Sequence, residues 1–173
     1  MDHDTDERMV KLFDDVLCPE QCSEIYNRLI SEECWSFTGH STFREEGYMF
    51  WQHDLTNNDF YSDFFFNRIL EITEQDFELV RVYANGQTYG QPGHLHVDGE
   101  CTDTFLYYAN PEWDVSWGGH TVFCNSETLE NFSFLPKPNS ALLFDSHILH
   151  CGMDPSRHCY DLRISIAFKL KRK

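Results

Sequence analysis

The stretch Asp161-Leu162-Arg163-Ile164-Ser165-Ile166-Ala167-Phe168 alternates throughout. In an extended chain, successive side chains project to opposite faces. Ile164, Ile166 and Phe168 therefore share one face, and Arg163, Ser165 and Ala167 share the other. One face suits an apolar core and the other a polar interior, which is the signature of a β-strand. Working back from it, short apolar or alternating runs recur at 77–84, 94–98, 103–109, 120–124, 132–135 and 140–145, with 161–170 the last. Between them stand Asn85-Gly86, Gly90-Gln91-Pro92-Gly93, Asn110-Pro111, Gly118-Gly119 and Pro136-Lys137-Pro138-Asn139. Strands at this spacing, punctuated by Gly and Pro, predict a sandwich or barrel.

Upstream of Thr73 the pattern is helical. Pro19 suits a first helical position and Glu20 the positive end of the helix dipole. Cys22, Ile25, Tyr26, Leu29 and Ile30 then repeat at helical spacing. A second helix is expected to start at Thr56-Asn57-Asn58-Asp59, with Phe60, Tyr61, Phe64, Phe65, Ile69 and Ile72 as its apolar stripe. Helices first and strands afterwards predict helices packed outside an antiparallel sheet. The charged residues 1–8 are expected to be frayed.

A chain of 173 residues fits one domain, and 41% hydrophobic residues suffice for a sizeable core. No apolar run approaches the roughly 20 residues needed to cross a bilayer. The acidic N-terminus lacks the order of a signal peptide, so a soluble cytoplasmic protein is expected. Seven cysteines, an odd number with no C-x-x-C pair, are read as reduced. The net charge of −16 opposes binding to nucleic acid and to anionic membranes. It is compatible with a basic protein target or a neutral substrate, although solubility alone accounts for it.

The main cluster of ligand-type side chains is Gly93-His94-Leu95-His96-Val97-Asp98-Gly99. In a strand, His96 and Asp98 face one way and Val97 the other. Two His plus one carboxylate leave positions open on a metal, the arrangement of non-haem Fe(II) oxygenases. Alone, an H-x-D triplet equally describes a surface histidine beside a turn aspartate. A third ligand is sought in Ala141-Leu142-Leu143-Phe144-Asp145-Ser146-His147-Ile148-Leu149-His150-Cys151-Gly152. His150 follows an apolar run that carries it inward, whereas His147 follows Asp145-Ser146, where the chain turns; His150 is preferred. His94 has the same parity as His96 and ranks below the His96–Asp98 pair. Arg163, on the polar face of its strand, needs an anion if buried, and a dicarboxylate supplies one through paired hydrogen bonds. A surface arginine paired with Asp161 is the plainer alternative.

Taken in order, these pieces resemble the Fe(II)/2-oxoglutarate dioxygenases, in particular the prolyl 4-hydroxylase-like branch, over about residues 77–170. Val82-Tyr83-Ala84-Asn85-Gly86-Gln87-Thr88-Tyr89 looks like the segment before the first iron ligand, and His96-Val97-Asp98 like the H-x-D motif. Phe105-Leu106-Tyr107-Tyr108-Ala109-Asn110-Pro111-Glu112-Trp113, with Trp117-Gly118-Gly119-His120-Thr121-Val122-Phe123, resembles the family's hairpin. Pro138 to His150 looks like the strand bearing the distal histidine. The chain departs from many relatives in its longer Tyr89–His96 and His150–Arg163 gaps, the latter containing Arg157 as a rival anchor. It also has His120 where many have Glu.

The resemblance implies a mainly β fold with flanking helices: a double-stranded β-helix, or jelly roll, packed against N-terminal helices. It implies one domain over 1–173, with 1–76 as helical support and 77–170 as the jelly-roll core. Fe(II) would be held by His96, Asp98 and His150. The co-substrate 2-oxoglutarate would meet Arg163 and Tyr108, with Tyr83 lining the same pocket. O₂ is the oxidant, and ascorbate an optional addition. The implied reaction is hydroxylation of a C–H bond, in a prolyl or other residue of a protein or peptide. A free amino acid or small metabolite is the alternative substrate, and a non-catalytic metal-binding jelly roll the alternative role. The resemblance leaves the oligomeric state open. Residues 38–53 and 111–118 are the candidate substrate-contacting loops.

Overall fold

The alternating C-terminal run becomes the middle strand of the larger of two sheets. In the computed structural model, which describes residues 10–31, 34–41 and 49–173, the chain begins with β1 (Val10–Phe13), α1 (Pro19–Ser31), β2 (Ser36–Gly39) and β3 (Phe50–Asp54). A π-helical stretch, Phe60–Phe65, runs directly into α2 (Phe66–Thr73). Then follow β4 (Phe77–Gln87), β5 (Asp103–Tyr108), β6 (Thr121–Cys124), β7 (Asn131–Phe134), β8 (Ala141–Asp145), β9 (Leu149–Gly152) and β10 (Arg163–Arg172). The seven-stranded sheet has the order β1-β8-β5-β10-β4-β3-β2, and the three-stranded sheet the order β7-β6-β9. All strand pairs are antiparallel. This is the mainly β jelly roll with flanking helices that the resemblance implies.

The parity of β10 separates the two sides of the larger sheet. Ile164, Ile166, Phe168 and Leu170 join the core beneath the helices, where Ile25 and Leu29 of α1 and Phe65 and Ile69 of the second helical segment meet them. Phe65 sits edge-on to both Phe168 and Tyr107, with centroids 4.9 and 5.0 Å apart. The opposite faces of the strands, including Leu106, Leu142, Phe144 and Ala167, join Phe123 of the smaller sheet in a second, smaller cluster. The space between the sheets is thus apolar at one place and polar at another. The functional side chains lie in the polar part.

Several local expectations change. β1, β2 and β3 were not foreseen; β1 and β3 are short strands paired with β8 and β4, which lie far off in sequence, and β2 adds to β3. The segment expected to be purely helical therefore also contributes strands. The second helical segment starts at Phe60, directly after the expected Thr56–Asp59 stretch, where the Asn58 carbonyl accepts the first helical N–H groups, from Tyr61 and Ser62. Ile30 and Phe64 lie on solvent faces, outside their expected stripes. Residues 94–98 are not a strand but a single bridge at His96. Residues 1–8 lie outside the described residues. All seven cysteines are free. Among the described residues, no helix is long and apolar enough to cross a membrane.

Phe168 is fully buried and Phe64 is 42% exposed. Phe168→Ala should cost about 3–5 kcal/mol in urea unfolding, and Phe64→Ala about 0.5 kcal/mol or less. Equal costs would mean that the helix–sheet interface is not where the stripe parity puts it.

Candidate metal and co-substrate site

His96 and His150 are brought together by their own backbones. The N–H of His96 donates to the carbonyl of His150 at 3.0 Å, and the N–H of His150 returns a bond to His96 at 2.9 Å. This reciprocal pair replaces the expected strand at 94–98. It sets the two imidazoles side by side, with ring centroids 4.4 Å apart. Two residues on, the N–H of Asp98 donates to Ser146 at 2.7 Å, which turns the carboxylate toward both rings. His96 Nε2 lies 3.5 Å from Asp98 Oδ1, and His150 Nε2 lies 3.5 Å from Oδ2. One potential ligand atom from each of the three residues falls within 4.8 Å of the others.

The surrounding bonds prepare these donors. Nδ1 of His96 lies 2.8 Å from the carbonyl of His94, and Nδ1 of His150 lies 2.8 Å from that of Ile148. A carbonyl only accepts, so each Nδ1 carries the proton and each Nε2 presents its lone pair. Burial pushes the His150 imidazole down to about 4, with the Asp98 charge only partly opposing it. It is therefore neutral at physiological pH, as a metal ligand must be. Burial pushes the Asp98 carboxyl up, but its hydrogen bonds and the Lys169 charge outweigh that and hold it well below the usual carboxylate range. Thr104 donates to Asp98 Oδ2 at 2.6 Å, and Lys169 Nζ forms a short ion pair with the same oxygen. The set offers two imidazole nitrogens and one carboxylate.

Deeper between the sheets lies Arg163, only 1% exposed. Its guanidinium donates to Gly119 O at 2.6 Å, Gln87 Oε1 at 2.8 Å and Thr121 Oγ1 at 3.1 Å. All three partners are neutral, and among the described residues no carboxylate pairs with it. Two glycines leave room for the group. A Cβ on Gly119 (φ +69°) would stand 3.1 Å from Arg163 Cδ, and one on Gly152 would stand 3.5 Å from a terminal guanidinium nitrogen. Burial lowers the Arg163 pKa, with Tyr108 and Cys151 opposing, yet an arginine stays charged in a protein. A buried, permanently charged group with only neutral partners is costly unless an anion arrives. A cavity of about 90 Å³, lined by His96, His150, Thr121 and Arg163, connects this guanidinium with the three-residue cluster.

A family model described as the 2OG-Fe(II) oxygenase superfamily matches residues 80–169. The chain belongs to the 2OG-Fe(II) oxygenase superfamily. That span runs from β4 through most of β10 and contains both the cluster and Arg163. This oxygenase is accordingly an oxidoreductase, a 2-oxoglutarate-dependent dioxygenase, and its family implies Fe(II), 2-oxoglutarate and O₂. No curated protein sequence matches it. Its fold is similar to a prolyl 4-hydroxylase from Pseudomonas putida (TM-score 0.70, 15% identity, 95% of this chain and 93% of the other). It is also similar to a prolyl hydroxylase from Trichoplax adhaerens in complex with a hypoxia inducible factor peptide (0.69, 17%, 95% and 84%). A viral collagen prolyl hydroxylase from Paramecium bursaria Chlorella virus-1, in its 2-oxoglutarate complex, is a third such likeness (0.67, 15%, 95% and 97%).

Of the residues singled out in the sequence, His96, His150, Arg163 and Tyr83 line one cavity, and Asp98 joins the two histidines in the cluster beside it. Tyr108 does not line it. Its hydroxyl, pushed up to about 12 by burial, donates to Thr121 at 2.7 Å and steadies the threonine that faces Arg163. His147 points outward and pairs with Asp145, and Arg157 is exposed. From residues 38–53, His40, Ser41, Phe50 and Gln52 line the cavity, whereas residues 111–118 do not; residues 42–48 lie outside the described residues. Gln87, Thr104, Thr121 and Lys169 were missed. Strand parity could have found two of them, since Gln87 follows Tyr83 and Asn85, and Lys169 follows Arg163, Ser165 and Ala167, at steps of two.

Replacing His96, Asp98 or His150 with Ala should weaken binding of Mn(II), a redox-stable probe, at least tenfold in titration calorimetry. His147→Ala should leave it unchanged. The reverse result for the two later histidines would relocate the third ligand.

Proposed function

We propose that this oxygenase hydroxylates a C–H bond, in a prolyl or other residue of a protein or peptide, with Fe(II) held by His96, Asp98 and His150. In this reading, 2-oxoglutarate lies between the metal and Arg163, with one carboxylate on the guanidinium. The observation that carries it is the buried Arg163, held by Gln87, Thr121 and Gly119, with no carboxylate partner among the described residues, in a cavity that also reaches the His–Asp–His cluster. The donor chemistry fits as well: two imidazoles and one carboxylate suit ferrous iron with positions left for a chelating acid and O₂. When bound, Fe(II) supplies oxygen activation, with oxidative decarboxylation of 2-oxoglutarate to succinate and CO₂ providing the electrons.

The chain's own residues do the rest. The carbonyls of His94 and Ile148 hold both imidazoles in the ligating tautomer. Thr104 and Lys169 engage Oδ2 of Asp98 and restrict its rotation, leaving Oδ1 turned toward His96. Tyr108 orients Thr121, and Thr121 with Gln87 fixes the plane of the guanidinium so that it meets a carboxylate through two parallel bonds. Phe144 and Leu106 close the apolar side and exclude water. A non-catalytic jelly roll would have no use for a desolvated arginine aimed at an intact donor set.

The test is succinate formation from 2-oxoglutarate, screened against peptides and amino acids; Fe(II)-independent turnover or none would defeat the reading. Arg163→Ala should weaken 2-oxoglutarate binding to the Mn(II) protein by about 2–5 kcal/mol, while Arg157→Ala should not change it. Unchanged affinity in Arg163→Ala would move the anchor elsewhere.

A further inference from the structure

Lys169 is directly opposite Arg81 in the register of β10 and β4. Like charges facing each other across a ladder are destabilising, so this placement needs a reason. Lys169 is 5% exposed and is satisfied by Asp98 and Thr104. Arg81 has no such partner: it forms no ion pair among the described residues, and its guanidinium lies over the ring of Tyr83 at 4.7 Å. Lys169 Nζ lies 5.7 Å from the centre of the same ring. Asp54 is near enough to feel Arg81, but its carboxylate is engaged first by the backbone N–H and side chain of Thr56.

Arg81, Tyr83 and Lys169 line a wider cavity of about 340 Å³ that also takes in His96 and Asp98. The same three residues also line the smaller cavity that holds Arg163, so the wider one forms the mouth of the site. Arg163 and Lys169 stand six residues apart on one strand face, roughly 20 Å along the backbone. A single five-carbon dicarboxylate anchored on Arg163 does not also serve Arg81. Lys169 and Asp98 answer each other in this lining and Glu100 stands on its rim, so Arg81 is the cation there that no carboxylate engages among the described residues.

We propose that the substrate carries its own carboxylate, which Arg81 receives beside the metal cluster. This rests on the oxygenase reading above and, within it, favours a chain-terminal residue, or the alternative substrate of a free amino acid or similar small acid, over an uncharged internal residue. A carboxylate fits better than a phosphate dianion, because Glu100 lies on the same rim and opposes a second negative charge.

The experiment uses the Mn(II) protein saturated with 2-oxoglutarate, which binds without turnover, and the matched probes N-acetyl-L-proline and N-acetyl-L-prolinamide. Paramagnetic relaxation of the probe protons reports their proximity to the metal. The acid is expected to bind at least tenfold more tightly than the amide, Arg81→Glu to abolish that preference, and Arg81→Lys to keep it. Equal relaxation of acid and amide, relaxation of neither, or an undiminished preference in Arg81→Glu would overturn the proposal. The oxygenase reading is checked separately by the visible charge-transfer band of the anaerobic Fe(II)–2-oxoglutarate protein; if that band is absent, the reading itself fails and this narrowing with it.

Discussion

Two backbone hydrogen bonds between His96 and His150 hold the rest of the site in place. They join a segment that belongs to no strand to the edge of the smaller sheet. Because the two N–H groups and two carbonyls satisfy each other, the chain can run extended here without a longer ladder. Both side chains then emerge on the same side, and the imidazoles have little freedom once their Nδ1 protons are bound to neighbouring carbonyls. Asp98 enters through one further backbone bond, to Ser146. The cluster is thus set mainly by the main chain, which explains how a loop can position metal-type donors as firmly as a strand does.

The polar face of β10 carries two buried cations with opposite circumstances. Lys169 has a carboxylate, and its attraction to Asp98 and Tyr83 outweighs the burial that would otherwise lower its pKa. Arg163 has dipoles only. Desolvating an ion costs several kcal/mol after relaxation, and three neutral acceptors offset this only in part. The fold tolerates the deficit because the helix-facing side of the same strand is packed with Ile164, Ile166, Phe168 and Leu170. The stability lent by one face lets the other hold a charge poised for an incoming anion.

How far the site was legible in the sequence depended on periodicity. Arg163 could be placed because its neighbours alternate, and the same alternation, carried one step past Phe168, would have added Lys169. His96 and Asp98 were found by a strand argument although they occupy no strand; an extended backbone gives the same two-residue periodicity, so the inference survived its wrong premise. His150 could be told from His147 because an apolar run leads to it, whereas Asp145 caps the turn at His147. The three early strands were not legible. Val10-Lys11-Leu12-Phe13 and Phe50-Trp51-Gln52-His53-Asp54 carry little pattern of their own and exist because β8 and β4 offer them edges. Thr104 and Thr121 matter only through what they touch, which no local pattern encodes.

The row of polar side chains on β4 and β10 also makes the site's length quantised. A residue faces the cavity only at every second position, about 7 Å apart, and a slip of one would turn the whole row into the apolar core. The irregularity in pairing falls between Lys169 and Leu170, past the end of the row, where slack in register does not disturb it. Adapting this scaffold to a longer or shorter compound therefore means moving a cation by whole steps, to position 83 or 85 on β4 for instance. Inserting residues into either strand would scramble the row.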